Sequence, residues 1–361
     1  MKAAVYYGVG DIRIEDVPRP EPGPDELLLE IHAAGICGTD VGEFVHGPVA
    51  YALQGHPVTG HRGPLIPGHE LSGRVVGKGR GVEGFEVGDV VASGAGISCG
   101  ECFQCRSGRT NLCLRYSTVG LQRNGALAQF CTAPASTCVD VAPFGLQEET
   151  AALAQPMAIA VHSMRRGRLA AGEDALVIGA GGIGAFLIHA AAEKGARVVA
   201  VDLSPERLDL ARSLGAAETI RPAEGVPLQD ALEERSILPQ IVYEVTGTTR
   251  GLSAAVDALC AGGRLVVVGL QAEPQRVDLR RLTLTEIEFV GTNAHVCGDD
   301  LPEALRLLGA RGGGWADVAP AILPLEELVS EGIRPMAEGR GTRVKTLIDP
   351  WSTSARTRSE S

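Results

Sequence analysis

The chain has 361 residues, 45% hydrophobic and 21% charged, a balance that suits a soluble globular protein with room for two cores. A formal net charge of -11 argues against nucleic acid as a partner, and no apolar run approaches the length of a membrane span. The opening MKAAVYYGVGDIRIED lacks the apolar core of a secretory signal, so a cytoplasmic protein with reduced cysteines is expected.

Over the first 150 residues, short apolar and β-branched runs (LLLEIHAAGI, GRVVGKG, GDVVASG) are separated by Gly and Pro every eight to twelve residues, which predicts an all-β unit. Further on the pattern changes. ALVIGA leads into a helical GGIGAFLIHAAAEKG. ARVVAVD, a helix through PERLDLARSLG, and QIVYEVTG follow, then a helix through LSAAVDALC, RLVVVGL and IEFVGT. Short apolar strands alternating with amphipathic helices specify a doubly wound parallel sheet. A mixed pattern then returns, with a helix through LPEALRLLG and a closing strand in RVKTLID. An α/β protein is therefore expected. Residues 1–158 and 293–361 would form a β-rich domain, interrupted by a nucleotide-type domain at 159–292. The tail 351–361, WSTSARTRSES, is polar and aperiodic, and is expected to be disordered.

Three groups of residues carry chemistry. Cys37 in AGICGTD and His69-Glu70 in PGHELSG offer a thiolate, an imidazole and a carboxylate, all competent zinc ligands. Three protein ligands leave one position open for a substrate. Next, Cys99, Cys102, Cys105 and Cys113 are spaced C-x2-C-x2-C-x7-C, and four thiolates that close in sequence can complete a tetrahedral, structural zinc site. Finally, Gly179, Gly181 and Gly184 form G-x-G-x-x-G between a strand and a helix. The glycines permit a tight turn, approach of a pyrophosphate, and close helix–strand packing. Gly182 and Ile183 lie inside the motif, where the helix N-terminus offers free N–H groups. Asp202 ends ARVVAVD 18 residues after Gly184, where an acid grips ribose hydroxyls and repels a 2′-phosphate. This predicts NAD(H) over NADP(H). Arg207 either stacks on adenine and blurs that preference or is a solvated helix residue. Thr246, Val268, Gly269 and Thr292, at the ends of later strands, are further candidate cofactor contacts.

CGTD, the loop GHPVTGHRGPLIPGHE, the four-Cys lobe and the dinucleotide fingerprint occur in that order from Met1 to about Pro350. The whole resembles the zinc-dependent medium-chain alcohol dehydrogenases, above all the branch with 2,3-butanediol, sorbitol and threonine dehydrogenases. The resemblance implies a GroES-like catalytic domain and a Rossmann domain, NAD(H), one catalytic and one structural zinc, and a homo-oligomer, dimer or tetramer. By motif, Cys37, His69 and Glu70 would hold the catalytic zinc and Thr39 would place its hydroxyl on the substrate oxygen. Asp40 either braces the metal-site loop or merely stabilises a turn.

Two positions depart from the family pattern. Many relatives read CGTDxH, with a His that passes the alcohol proton to solvent; here Gly42 stands in its place, and His46 is a candidate replacement. In AALAQPMAIAVH, Gln155 stands where butanediol- and sorbitol-type relatives carry a Glu that binds the zinc or its water. The expected function is hydride transfer between NAD(H) and a secondary alcohol or ketone, with a diol or polyol as substrate. Alternatives are a relay-less reductase of a ketone or activated C=N or C=C bond in specialised metabolism, and a non-catalytic NAD- and zinc-binding subunit. Phe44, Tyr51, His56 and His295 are candidates for lining the substrate site.

Overall fold

A computed structural model describes residues 1–341 and 343–358, and the elements below are those of the described residues. The chain forms two compact units. One comprises Met1–Ala158 with the residues from His295 onward, and the other Ile159–Ala294.

The first unit is organised around the strand Glu26–Gly35, ELLLEIHAAG. Leu27, Leu29 and Ile31 share one face because strand side chains alternate, and they are buried with Leu71, Val75 and Val91. This strand pairs antiparallel with Glu70–Lys78, with Phe130–Pro134 and with Leu347–Asp349. Val90–Ser93 and Cys138–Asp140 extend the sheet on one side, Ala321–Pro324 and Arg356–Thr357 on the other. A separate two-stranded ribbon joins Lys2–Gly8 to Asp11–Asp16.

The unit is not all-β. A helix, Gly38–His46, follows directly on Gly35–Cys37. Its sequence, GTDVGEFVH, contains two glycines and has weak intrinsic helicity. What starts it is local: Asp40 Oδ2 accepts the Cys37 N–H at 2.8 Å, and Phe44 buries its ring beneath. The tail also differs from expectation. Trp351 packs edge-on to Phe130 at 5.4 Å and donates Nε1–H to Ile31 O at 3.0 Å. Arg356–Thr357 pairs with Ala321–Pro324, and Arg356 reaches Glu149. The expected disorder therefore fails as far as Arg358, because partners elsewhere satisfy polar groups that the tail alone leaves open. Residues 359–361 lie outside the described residues.

The second unit is a six-stranded parallel sheet. In chain order its strands are Asp174–Ile178, Arg197–Val201, Glu218–Ile220, Ile241–Glu244, Arg264–Val267 and Glu288–Gly291, arranged 3-2-1-4-5-6. That is the order of a dinucleotide-binding sheet, with its reversal beside the first strand. Asp174–Ile178 and Arg197–Val201 are almost wholly buried, as strands covered on both faces must be. The third strand, ETI, was not anticipated; three residues, two half-buried and one buried, give too short a pattern to read. No described helix is long and apolar enough to cross a membrane.

Candidate active site

Cys37 lies just beyond the end of the strand Glu26–Gly35, and Glu70 opens the neighbouring strand opposite Gly35. Antiparallel pairing thus brings together residues far apart in sequence. The Sγ of Cys37, a ring nitrogen of His69 and a carboxylate oxygen of Glu70 lie within 4.8 Å of one another. Gly35 is needed here, because a Cβ at that position would overlap the Glu70 carboxylate. Thr39 Oγ1 is 3.7 Å from Cys37 Sγ. Asp40 is buried under the group: it caps Cys37 N–H, accepts the Tyr51 hydroxyl at 2.8 Å, and lies 3.8 Å from His69 Nδ1.

Lys345 belongs to no motif legible in the sequence. It stands just before the strand Leu347–Asp349, which pairs with the end of Glu26–Gly35, and Ile36 N donates to Thr346 O. This delivers a buried ammonium to Glu70, where it bonds both carboxylate oxygens. Burial alone would lower the Lys345 pKa, but Glu70 and Cys37 raise it. Burial also works against a charged His69, yet Cys37 and Asp40 push it up to about 9. A thiol and two carboxylates so close together in a dry site create a field that favours positive charge. A divalent cation fits that field and that donor set.

Gln155 lies in the first turn of the helix Ala154–Gly167 and is half-buried. A Cβ at Gly42 would meet nothing within 4 Å, so no other group fills the space beside that backbone. His46 is exposed at the last residue of the helix.

The four-Cys lobe hangs from a two-stranded neck, Gly96–Ile97 paired with Ser117–Thr118. Its sulfurs are 3.5 Å apart for Cys102–Cys105 and 4.0 Å for both Cys99–Cys105 and Cys102–Cys113. A zinc tetrahedron with bonds of about 2.3 Å sets its sulfurs about 3.8 Å apart, so the lobe fits the ion. Backbone N–H groups point at the sulfurs, as from Cys99 to Cys113 at 3.2 Å and from Arg115 to Cys113 at 3.3 Å. The N–H of Cys105, with that of Leu114, pulls the Cys102 thiol down to about 6.

In the second unit, Gly179 adopts φ +102°, and a Cβ on Gly184 would overlap the Gly179 carbonyl. Both glycines are therefore obligatory. The helix Gly182–Glu193 starts at Gly181 with no side-chain cap, leaving the N–H groups of its first turn, Gly182 and Ile183 included, for a ligand. Asp202 ties this loop to the next, accepting Ala180 N–H at 2.8 Å and Ser204 N–H at 2.9 Å. Arg207 Nη1 is 3.8 Å from Asp202 and lies over Gly181. Thr246 packs against Gly179. A second residue missed in the sequence, Glu244, organises this edge. Its buried carboxylate takes N–H bonds from Thr246, Gly247 and Gln271, and its carbonyl takes those of Val268 and Gly269. Thr292 Oγ1 is buried with no hydrogen-bond partner among the described residues.

Of the substrate-lining candidates, Phe44 and Tyr51 are buried in the core, the latter with its hydroxyl on Asp40. His295 is buried with Nε2 3.0 Å from Gly94 O. His56 accepts Thr59 N–H within its own loop. All four have structural work to do.

Residues 23–143 match the alcohol dehydrogenase GroES-like domain, and residues 182–310 match the zinc-binding dehydrogenase domain. Human sorbitol dehydrogenase is 31% identical over 351 residues, covering 96% of this chain and 95% of the relative. L-threonine 3-dehydrogenase of Alteromonas mediterranea is 34% identical over 283 residues, 78% of this chain and 80% of the relative. The crystal structure of 2R,3R-butanediol dehydrogenase from Bacillus subtilis superposes with a TM-score of 0.88 at 28% identity, covering 97% of this chain and 99% of that one. The chain belongs to the zinc-dependent medium-chain alcohol dehydrogenases. This dehydrogenase is accordingly an oxidoreductase that works with zinc and a nicotinamide dinucleotide.

Proposed function

We propose that this dehydrogenase interconverts a secondary alcohol and a ketone, with a diol or polyol as substrate, and that Cys37, His69 and Glu70 hold the catalytic zinc. The observation that carries the reading is the convergence of those three donors in a buried, cation-seeking site beside Thr39. The names of the relatives, sorbitol, threonine and butanediol dehydrogenases, all point to alcohols with a second polar group nearby. Zinc bound there would supply a Lewis acid for the substrate oxygen, and a bound nicotinamide would supply the hydride chemistry.

The chain's own residues do the rest. Thr39 is placed to take the alcohol proton, or to return it in reduction. Lys345 holds Glu70 from behind, so that carboxylate is divided between the metal site and an ammonium. Asp202 anchors the ribose and selects NAD(H). Gly181, Gly182, Ile183 and Gly184 cradle the pyrophosphate, Gly179 makes the turn, and Thr246, Val268, Gly269 and Thr292 line the cofactor's path, with Arg207 beside the adenosine. Cys99, Cys102, Cys105 and Cys113 hold the structural zinc.

The open space at Gly42 favours a second reading of direction. With no imidazole there, Thr39 lacks a side-chain partner at that position, which suits the alternative of a relay-less reductase of a ketone or activated C=N or C=C bond. Gln155, which cannot ionise, belongs to the same reading. A homo-oligomer, dimer or tetramer, in the cytoplasm completes the proposal. The reduced state of nine cysteines suits that compartment, and sedimentation equilibrium would count the subunits.

The test is zinc content and turnover on one preparation. Two zinc ions per chain and NAD-linked turnover within a panel of diols, polyols and ketones are expected. Tight NADH binding with two zinc ions but no turnover across the panel would instead mark a binding subunit.

A further inference from the structure

We propose that Tyr51 is a positioning residue of the metal centre: its buried hydroxyl clamps Asp40 in the orientation from which Asp40 holds the Cys37 N–H and presents its charge to His69. The inference rests on the reading of Cys37, His69 and Glu70 as zinc ligands.

The clamp is built from two sides. On one side, the backbone around Tyr51 has little freedom. Glu43, itself buried, accepts Val49 N–H at 2.9 Å and also Ala50 N–H; Ala52 N–H reaches Leu121 O at 3.1 Å. The Tyr51 ring is 4% exposed, packs edge-on to Tyr6 at 4.8 Å, and shares a small core with Leu65. Tyr6 is in turn fixed by its hydroxyl, which donates to Glu43 O at 2.8 Å. The Tyr51 oxygen therefore has one location. Burial, with Asp40 next to it, raises its pKa well above the usual phenol range, so the group remains a donor.

On the other side, each Asp40 oxygen has its own task. Oδ2 accepts Cys37 N–H at 2.8 Å, at the start of the helix Gly38–His46. Oδ1 accepts Tyr51 O–H at 2.8 Å and lies 3.8 Å from His69 Nδ1, too far for a hydrogen bond. The phenol, and not the imidazole, thus fixes Oδ1. Groups behind a metal ligand set its tautomer and aim, and their loss typically weakens metal binding 10- to 100-fold. Without the phenol, the Cys37 N–H alone holds the Asp40 carboxylate, so the brace on Cys37 loosens and the charge beside His69 loses its fixed place.

Tyr51→Phe keeps the ring and removes one oxygen. The experiment competes a chelator against the full-length, zinc-loaded protein and follows each zinc ion by mass spectrometry. The zinc of the four-Cys lobe serves as an internal reference. The site zinc should be lost about tenfold more readily in Tyr51→Phe, at the lower end of that range, with the lobe zinc unchanged. In an Asp40→Asn background the same substitution should add nothing. Unchanged zinc affinity in Tyr51→Phe overturns the proposal, even if the metal-free Tm falls, because a merely structural tyrosine would do that. An equal further loss in the Asp40→Asn background overturns it too. If the wild-type protein carries lobe zinc alone, with Cys37→Ser indistinguishable from it, the ligand reading fails and takes this inference with it.

Discussion

The two metal-competent groups of this dehydrogenase are built in opposite ways. Cys99, Cys102, Cys105 and Cys113 lie within one loop, and their geometry needs little beyond a two-stranded neck and backbone N–H groups pointing inward. Cys37, His69 and Glu70 come from the ends of two neighbouring strands, and Lys345 comes from the start of a third. The first group is local and self-contained. The second inherits its shape from sheet register, and slipping one strand by a residue would dissolve it. A structural site tolerates isolation; a site that must stay open is held by its surroundings.

Removing one sulfur from each group breaks the comparison most sharply. Cys37→Ser should lower kcat by about two to three orders of magnitude or more, keep the lobe zinc and leave the fold intact by circular dichroism. Cys102→Ser should instead lose the lobe zinc and several degrees of Tm, because a structural zinc contributes to folding directly. Comparable losses of activity in both with no change in zinc content would contradict both assignments.

Lys345→Met tests whether the open site depends on a charge balance that the lobe lacks. Deleting one partner of a buried pair leaves Glu70 uncompensated, and the metal-free protein should lose about 3–5 kcal/mol in urea unfolding. Zinc should restore part of that loss. A variant as stable as wild type without metal would mean that Glu70 takes up a proton or another partner at little cost.

The dinucleotide unit, like the lobe, rests on a compact motif, and Asp202→Ala probes it. The ratio of kcat/KM for NAD over NADP should fall about tenfold or more, since repulsion of a 2′-phosphate is lost. An unchanged ratio would shift specificity to Arg207. The smallest effect belongs to Gly42→His, at a position where an added Cβ meets nothing within 4 Å. Alcohol oxidation should gain a few-fold, within the range of general base catalysis, with a new inflection near the ordinary histidine pKa of about 6.5. Without that inflection, protons leave by a route independent of residue 42.

What could be read before folding follows the same division. The four cysteines, G-x-G-x-x-G and Asp202 were legible because each acts on neighbours in sequence or sits at a set distance from a strand end. Lys345 and Glu244 were not. Each is one ionisable residue in a short strand context, and only sheet pairing reveals what it faces. Tyr51 and His295 were open between a substrate-lining and a packing role because aromatic and imidazole groups suit both; the fold gives each a buried hydrogen-bond partner, Asp40 and the Gly94 carbonyl. The tail read as disordered because its partners, Phe130, Ile31 and Glu149, are remote in the chain.

By itself, the amino-acid order determined the two kinds of unit, the lobe, the cofactor fingerprint and the family, since these depend on periodicity and short spacings. Only the tertiary structure decided that Glu70 shares its charge with Lys345, that Glu244 organises the edge where Thr246, Val268 and Gly269 gather, and that Tyr51 stands behind Asp40. The physical reason is that a buried polar group must be satisfied wherever the fold brings a partner, and no short stretch of sequence records which strand end will supply it.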